Sequence, residues 1–239
     1  MQSLLRLSPR SALGPTRFGG ALVDPYAAFD AAFDAGDTDG YTLNVANVVS
    51  ALNLAPGGSG YDLSQATDSL RPVLTSAQFA FDDSNDYLEN TSLLPALINS
   101  KSLHANFTFT LDSLATDGTL FACSLGTTNA RFWMQFLTNG ALRVSCRNLA
   151  GTTFVTKDIW ADGTSLGFTT GVEYSAGLEL TAATLSAWAD GIQIYDAVAY
   201  DMSSQDATFT RADVGVLRIN ASSFSAFGGK IRAFNFKGI

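Results

Sequence analysis

The sequence predicts an all-β protein: a two-sheet antiparallel sandwich of the jelly-roll type, with an N-terminal extended arm and one short helix. Three observations carry this. Of the 239 residues, 46% are apolar and only 15% charged, and 17 Phe with 21 Gly favour strands and tight turns over long helices. Short alternating runs recur along the chain, with turn signals at intervals of roughly ten residues. Two of the breaks are Asn139-Gly140 and Asp190-Gly191, dipeptides suited to two-residue hairpin turns because both central residues there need positive φ. A chain of this length can fold around a single sandwich core.

Residues 1–23 mix Leu, Ser, Arg, Pro and Gly without a sustained period and form an expected extended arm. Its Leu4, Leu5, Arg6, Arg10, Arg17 and Phe18 are candidates for contact with a partner, since so few apolar residues offset the entropy of ordering only when buried on another surface. Residues 24–39 read as a short helix and linker. Asp24 suits an N-cap, Pro25 the first helical position and Gly36 the C-terminal turn, while Tyr26, Phe29 and Phe33 share one helical face. The sandwich proper is expected over 40–239. In "ANFTFTLDSL" Phe107 and Phe109 share a face, and "TLFACSL" is a strand. "RFWMQFLTNGALRVSCR" is a hairpin whose period puts Phe132, Met134, Phe136, Leu142, Val144 and Cys146 on the face opposite Trp133, Gln135, Arg143 and Arg147. "TLSAWADGIQIYDA" is a second hairpin, and the chain closes on another pair of strands. The expected core includes Phe107, Phe109, Phe132, Phe136, Val144, Leu185 and Ile194.

The net charge of −8 argues against a nucleic-acid partner, whose binders carry a basic stripe. No run of 18 apolar residues suggests a membrane-inserted helix, and Arg6 and Arg10 interrupt the apolar stretch that a signal peptide would need, so synthesis in a cytoplasm is expected.

"LSAWADGIQI", followed by "VGVLRINASSFSAFGGKIRAFNFKGI", resembles the ending of concanavalin A-like, laminin G-like jelly rolls. These run strand, V-D-G-type turn, strand, then I-G, a loop, F-x-G-x-I and a last strand. Upstream, "GYDLSQATDSLRPVL" and "FAFDDSNDYLEN" resemble the first strands of the same family as found in bacteriophage virion proteins. The likeness spans about residues 40–239 and departs where Asp83 replaces a Gly and Ala189 a Val. It implies a non-enzymatic virion structural protein, a tail or fibre component or a capsid decoration protein, made in the host bacterial cytoplasm. Its implied partners are other virion proteins and copies of itself, with a host-surface glycan as a further one. A free carbohydrate-binding module is the alternative, and a glycan-cleaving enzyme a third reading. Because the motifs are structural, function must be argued from a site.

No E-x-D-x-E run of the kind that glucanases on this fold use is present, and Glu173 and Glu179 stand apart with no intervening Asp. His104, the single histidine, has no nucleophile motif near it and is expected at a loop or strand edge. Cys123 and Cys146 are expected as two buried thiols, since a strand between them would hold their own strands about 10 Å apart. No cofactor is expected. Calcium is the one ion to weigh, with Asp82, Asp83 and Asp86 as hard oxygen ligands, although turn-forming roles are preferred for them. For sugar binding the candidates are Trp133, Trp160 and Trp188, on which a pyranose stacks, with Gln135 and Arg143 to bond its hydroxyls.

Overall fold

The computed structural model describes residues 26–125, 130–219 and 222–239. The arm 1–23, with Leu4, Leu5, Arg6, Arg10, Arg17 and Phe18, lies outside the described residues. The strands form two antiparallel layers. In the first, Thr153–Ile159, Leu142–Arg147, Arg131–Phe136, Gly118–Ser124, Arg211–Val214 and Leu88–Asn90 lie side by side in that order. In the second the order is Ile192–Ala199, Thr184–Ala189, Glu173–Leu180, Leu103–Leu111 and Gly228–Gly238. The far side of Gly228–Gly238 is shared by Gln78–Asp82 and Ala31–Asp34. Along one margin Asn47–Ala51, Leu63–Ser64 and Val73–Thr75 hydrogen-bond from layer to layer, so the ladder is continuous there.

Alternation decides what fills the sandwich. In Leu103–Leu111 every odd-numbered residue is buried and every even-numbered one half-buried. Phe107, Phe109, Phe132, Phe136, Val144 and Leu185 all lie in the core, as the period requires. Rings from the two layers meet in it: Phe109 and Phe136 centroids are 4.9 Å apart, and Phe121 and Phe236 also 4.9 Å. Each such pair adds about 0.5–1.5 kcal/mol beyond area burial. Ile194 differs. It is only half-buried, because its strand Ile192–Ala199 is an edge strand with a single neighbour.

The helix expected over 24–39 is not formed. Tyr26–Ala28 is a turn and Ala31–Asp34 is a strand, paired residue for residue with Ala233–Phe236. Both faces of this strand are covered: Phe33 stacks on Phe234 at 4.6 Å, and Ala32 packs with Tyr26 and Ala55. Helical spacing of aromatics is overridden by an open ladder and a double-sided burial site that small Ala residues fit. Gly36 does not take the left-handed conformation of a helix C-terminal turn; its N–H donates to Asp34 Oδ1 at 2.7 Å. The short helix of the described residues is Leu94–Asn99, with Pro95 in its first turn.

The two predicted turns also differ from each other. Asp190 and Gly191 both have positive φ, 47° and 78°, as the two-residue hairpin turn demands. At the other hairpin only Gly140 does, at 81°. There Leu137 accepts from Gly140 N–H and donates to Ala141 O, giving a three-residue loop closed by a left-handed glycine. A Cβ on Gly140 would fall 2.5 Å from the Phe168 carbonyl oxygen, so close approach adds to the demand for glycine. Cys123 and Cys146 are free and buried, and both are cross-strand neighbours of Phe132, one on each side. Burial pushes the Cys146 thiol up to about 12.

Candidate saccharide groove

The five residues proposed from the sequence for sugar binding do not converge. Trp133, Gln135 and Arg143 point outward from the first layer, Trp188 points outward from the second, and Trp160 is half-buried in the turn after Thr153–Ile159. Trp133 is not an open platform: it is 7% exposed, packed against Ala122 and Leu217. Its indole N–H donates to Gln135 Oε1 at 3.3 Å, and Gln135 in turn donates to Ser225 Oγ at 2.6 Å. Arg143 forms a two-pronged pair with Asp158, Nε at 2.7 Å and Nη2 at 2.8 Å. The cover over Trp133 comes in part from Leu217.

Trp188 is in a different setting. Its strand Thr184–Ala189 turns Leu185, Ala187 and Ala189 into the core, so Ser186 and Trp188 face out. Directly across from Trp188 stands Gly177, across from Gly177 stands Asn106, and across from Asn106 stands Asn235. This row crosses four strands and forms the floor of a cavity of about 380 Å³, which Ser175 and Asp190 also line. That volume falls within the range of small-molecule sites, roughly 300–1,000 Å³.

Each member has a structural reason. Gly177 keeps the floor low: a Cβ there would lie 2.3 Å from Asn106 Oδ1. Asn106 uses its amide nitrogen twice, toward Asn235 Oδ1 at 3.1 Å and His104 Nε2 at 2.7 Å, which leaves Oδ1 on the side of the bare glycine. Since His104 Nε2 accepts, its proton is on Nδ1, which faces Glu179 at 4.0 Å. Burial, the largest influence, lowers the His104 pKa, and the neutral ring it favours is the form able to accept from Asn106. Asp190 accepts the Ser175 N–H at 2.7 Å and so ties the hairpin turn to the neighbouring strand. The result is an aromatic wall, a glycine floor and the Asn106 carboxamide, fixed in place by the buried Asn235, able to stack a ring and hydrogen-bond its hydroxyls.

Of this row, the sequence singles out Trp188 as a candidate and does not single out Gly177, Asn106 or Asn235. The signals were present: a glycine inside the strand "EYSAGLEL" marks a close approach, and Asn106 and Asn235 occupy the outward phase of strands whose inward phase is Phe. His104 is not at a loop or edge but near the start of a strand flanked on both sides.

The other sequence candidates have local roles. Asp82 Oδ1 accepts backbone N–H groups from Ser84 at 3.0 Å and Asn85 at 3.1 Å, so it shapes a turn. Asp83 Oδ1 accepts from the Thr116 hydroxyl at 3.3 Å, and Asp86 is buried, its carboxyl pushed up to about 7 by burial first and by Asp82 second. Among the described residues no three Asp, Glu, His or Cys side chains form a group that could hold a metal ion. Glu173 pairs with Arg232 at 3.0 Å.

No protein-family model matches the chain, and no curated protein matches it in sequence. Solved structures do share the fold. The K499G mutant of NanB sialidase from Streptococcus pneumoniae superposes with a TM-score of 0.53 at 16% identity, over 68% of this chain and 26% of that one. The CBM40 of Ruminococcus gnavus IT-sialidase, solved with α2,3-sialyllactose, gives 0.49 at 15% identity, over 59% of this chain and 79% of that one. The chain thus spans about a quarter of the NanB chain, and the likeness is one of fold.

Proposed function

We propose that this protein is a non-enzymatic glycan-binding module that holds a saccharide in the groove of Trp188, Gly177, Asn106 and Asn235. The observation that carries the reading is the row of aromatic, glycine and carboxamides across four strands at the base of one cavity. A sugar ring stacks its C–H face on Trp188, and its hydroxyls replace water at Asn106 Oδ1 and around Ser175. The one carboxylate lining the groove, Asp190, already accepts from Ser175 N–H, so the groove suits uncharged hydroxyl-bearing ligands.

Of the readings drawn from the sequence, the free carbohydrate-binding module is the one the groove favours. Display on a bacteriophage particle, anchored by the arm 1–23, draws no support from the neighbours described above, which are a sialidase and a sialidase module. A glycan array probed with the full chain tests the reading. Binding is expected to fall at least tenfold in Trp188→Ala and to persist in Trp160→Ala. Absence of binding by the wild type, or equal binding by both variants, contradicts it.

A further inference from the structure

The outer face of the first layer carries an arrangement that the groove does not use. Arg131 and Arg147 stand directly opposite each other on neighbouring strands. Both guanidinium carbons lie over the Trp133 ring, 4.9 Å and 5.9 Å from its centroid. Like charges opposed on one sheet face repel, so the pair is unfavourable as it stands.

The other arginines show what Arg131 lacks. Arg143 directs Nε and Nη2 to Asp158, and Arg211 and Arg218 each direct Nε to Asp213, at 3.1 and 3.2 Å. Arg71 Nε reaches the Gln65 carbonyl at 2.7 Å, and Arg147 Nε reaches Thr153 Oγ1 at 3.2 Å. Arg131 Nε is buried and has no acceptor among the described residues. The oxygens nearest in the register are taken: Ser124, across from Arg131 on its other side, accepts from Arg211, while Asp213 and Glu89 are held by Arg211 and Arg218. Burial, and after it Arg147, lower the Arg131 pKa to about 10, so it remains a cation at neutral pH. One oxyanion accepting from both guanidinium groups would cancel the repulsion between them.

We propose that Arg131 and Arg147, held against Trp133, bind an oxyanion: the carboxylate or sulfate group of an acidic ligand. The site is on the opposite outer face from the saccharide groove and stands or falls independently of it.

Thermal melting of the full chain in glucuronate, glucose 6-sulfate, glucose, and sodium chloride of matched ionic strength tests this. A ligand that binds only the folded state raises the melting temperature. A rise of a few degrees beyond any that glucose or chloride produces is expected with one or both acidic sugars in the millimolar range; which acidic sugar acts distinguishes carboxylate from sulfate. Arg131→Gln should abolish the rise while melting no lower than wild type in the absence of anion, because it removes the repulsion. Arg143→Gln, whose partner is Asp158, should keep the rise. If Arg131→Gln does not fold, Arg147→Gln carries the same test. No rise in the wild type, or a rise that survives in the Arg131 or Arg147 variant, overturns the proposal.

Discussion

At the scale of single residues, two titratable groups, the half-buried His104 and the buried Asp86, can be followed by pH. His104 accepts from Asn106 only while neutral, and burial holds its pKa below the ordinary 6.5. A histidine with a lowered folded-state pKa contributes stability above its unfolded value and loses it as pH falls through the folded one. Saccharide affinity should therefore be flat above pH 6.5 and decline at lower pH, while His104→Gln, whose carboxamide oxygen can accept from Asn106, should flatten the profile. A decline that is unchanged in this variant would remove His104 from the explanation. Asp86 has the opposite sign, since burial raises its carboxyl from 3.8 to about 7. Folding then favours the protonated form, and stability falls as pH rises between those values. Asp86→Asn is expected to gain about 1–3 kcal/mol at pH 8 and nothing near pH 4, as read from denaturant melts. Equal effects at both pH values would contradict the assignment.

At the scale of elements, hairpins were legible in the sequence and the N-terminal strand was not. Asp190-Gly191 states its turn type outright, because two successive positive φ values leave few residue choices. Asn139-Gly140 marks a turn correctly and its class incorrectly, since the loop takes one more residue and uses positive φ only at Gly140. Ala31–Asp34 reads as helix because Ala is a strong helix former and Tyr26, Phe29 and Phe33 recur at helical spacing. What decides its state lies some 200 residues further along: Phe234, on which Phe33 stacks, and the free half-edge of Gly228–Gly238. If the strand is right, Phe33 is a core residue, and Phe33→Ala should cost about 3–5 kcal/mol in a chemical denaturation curve. A cost below 1 kcal/mol would fit a surface helix instead.

At the scale of the whole molecule, the sandwich was readable because its core is written in period two: Phe107 with Phe109, Phe132 with Phe136, and Leu185 with Ala187 all face inward. The groove was harder to read, because it is assembled across strands. Trp188, Gly177, Asn106 and Asn235 come from four segments spread over 130 positions of sequence, and only register brings them into one row. The alternation that located Trp133 and Trp188 on outward faces says nothing of what covers each, so Trp133 under Leu217 and Trp188 beside a cavity looked equivalent. The central claim is that the row of Trp188, Gly177, Asn106 and Asn235 is where a saccharide binds. An amide-resolved NMR titration of the full chain with an uncharged saccharide that the array retains tests it most directly. The largest shifts are expected at Gly177, Asn106, Asn235 and the Trp188 indole N–H, with Trp133 and Arg143 unmoved; shifts centred on Trp133 and Arg143, with the four groove residues silent, would place the saccharide elsewhere.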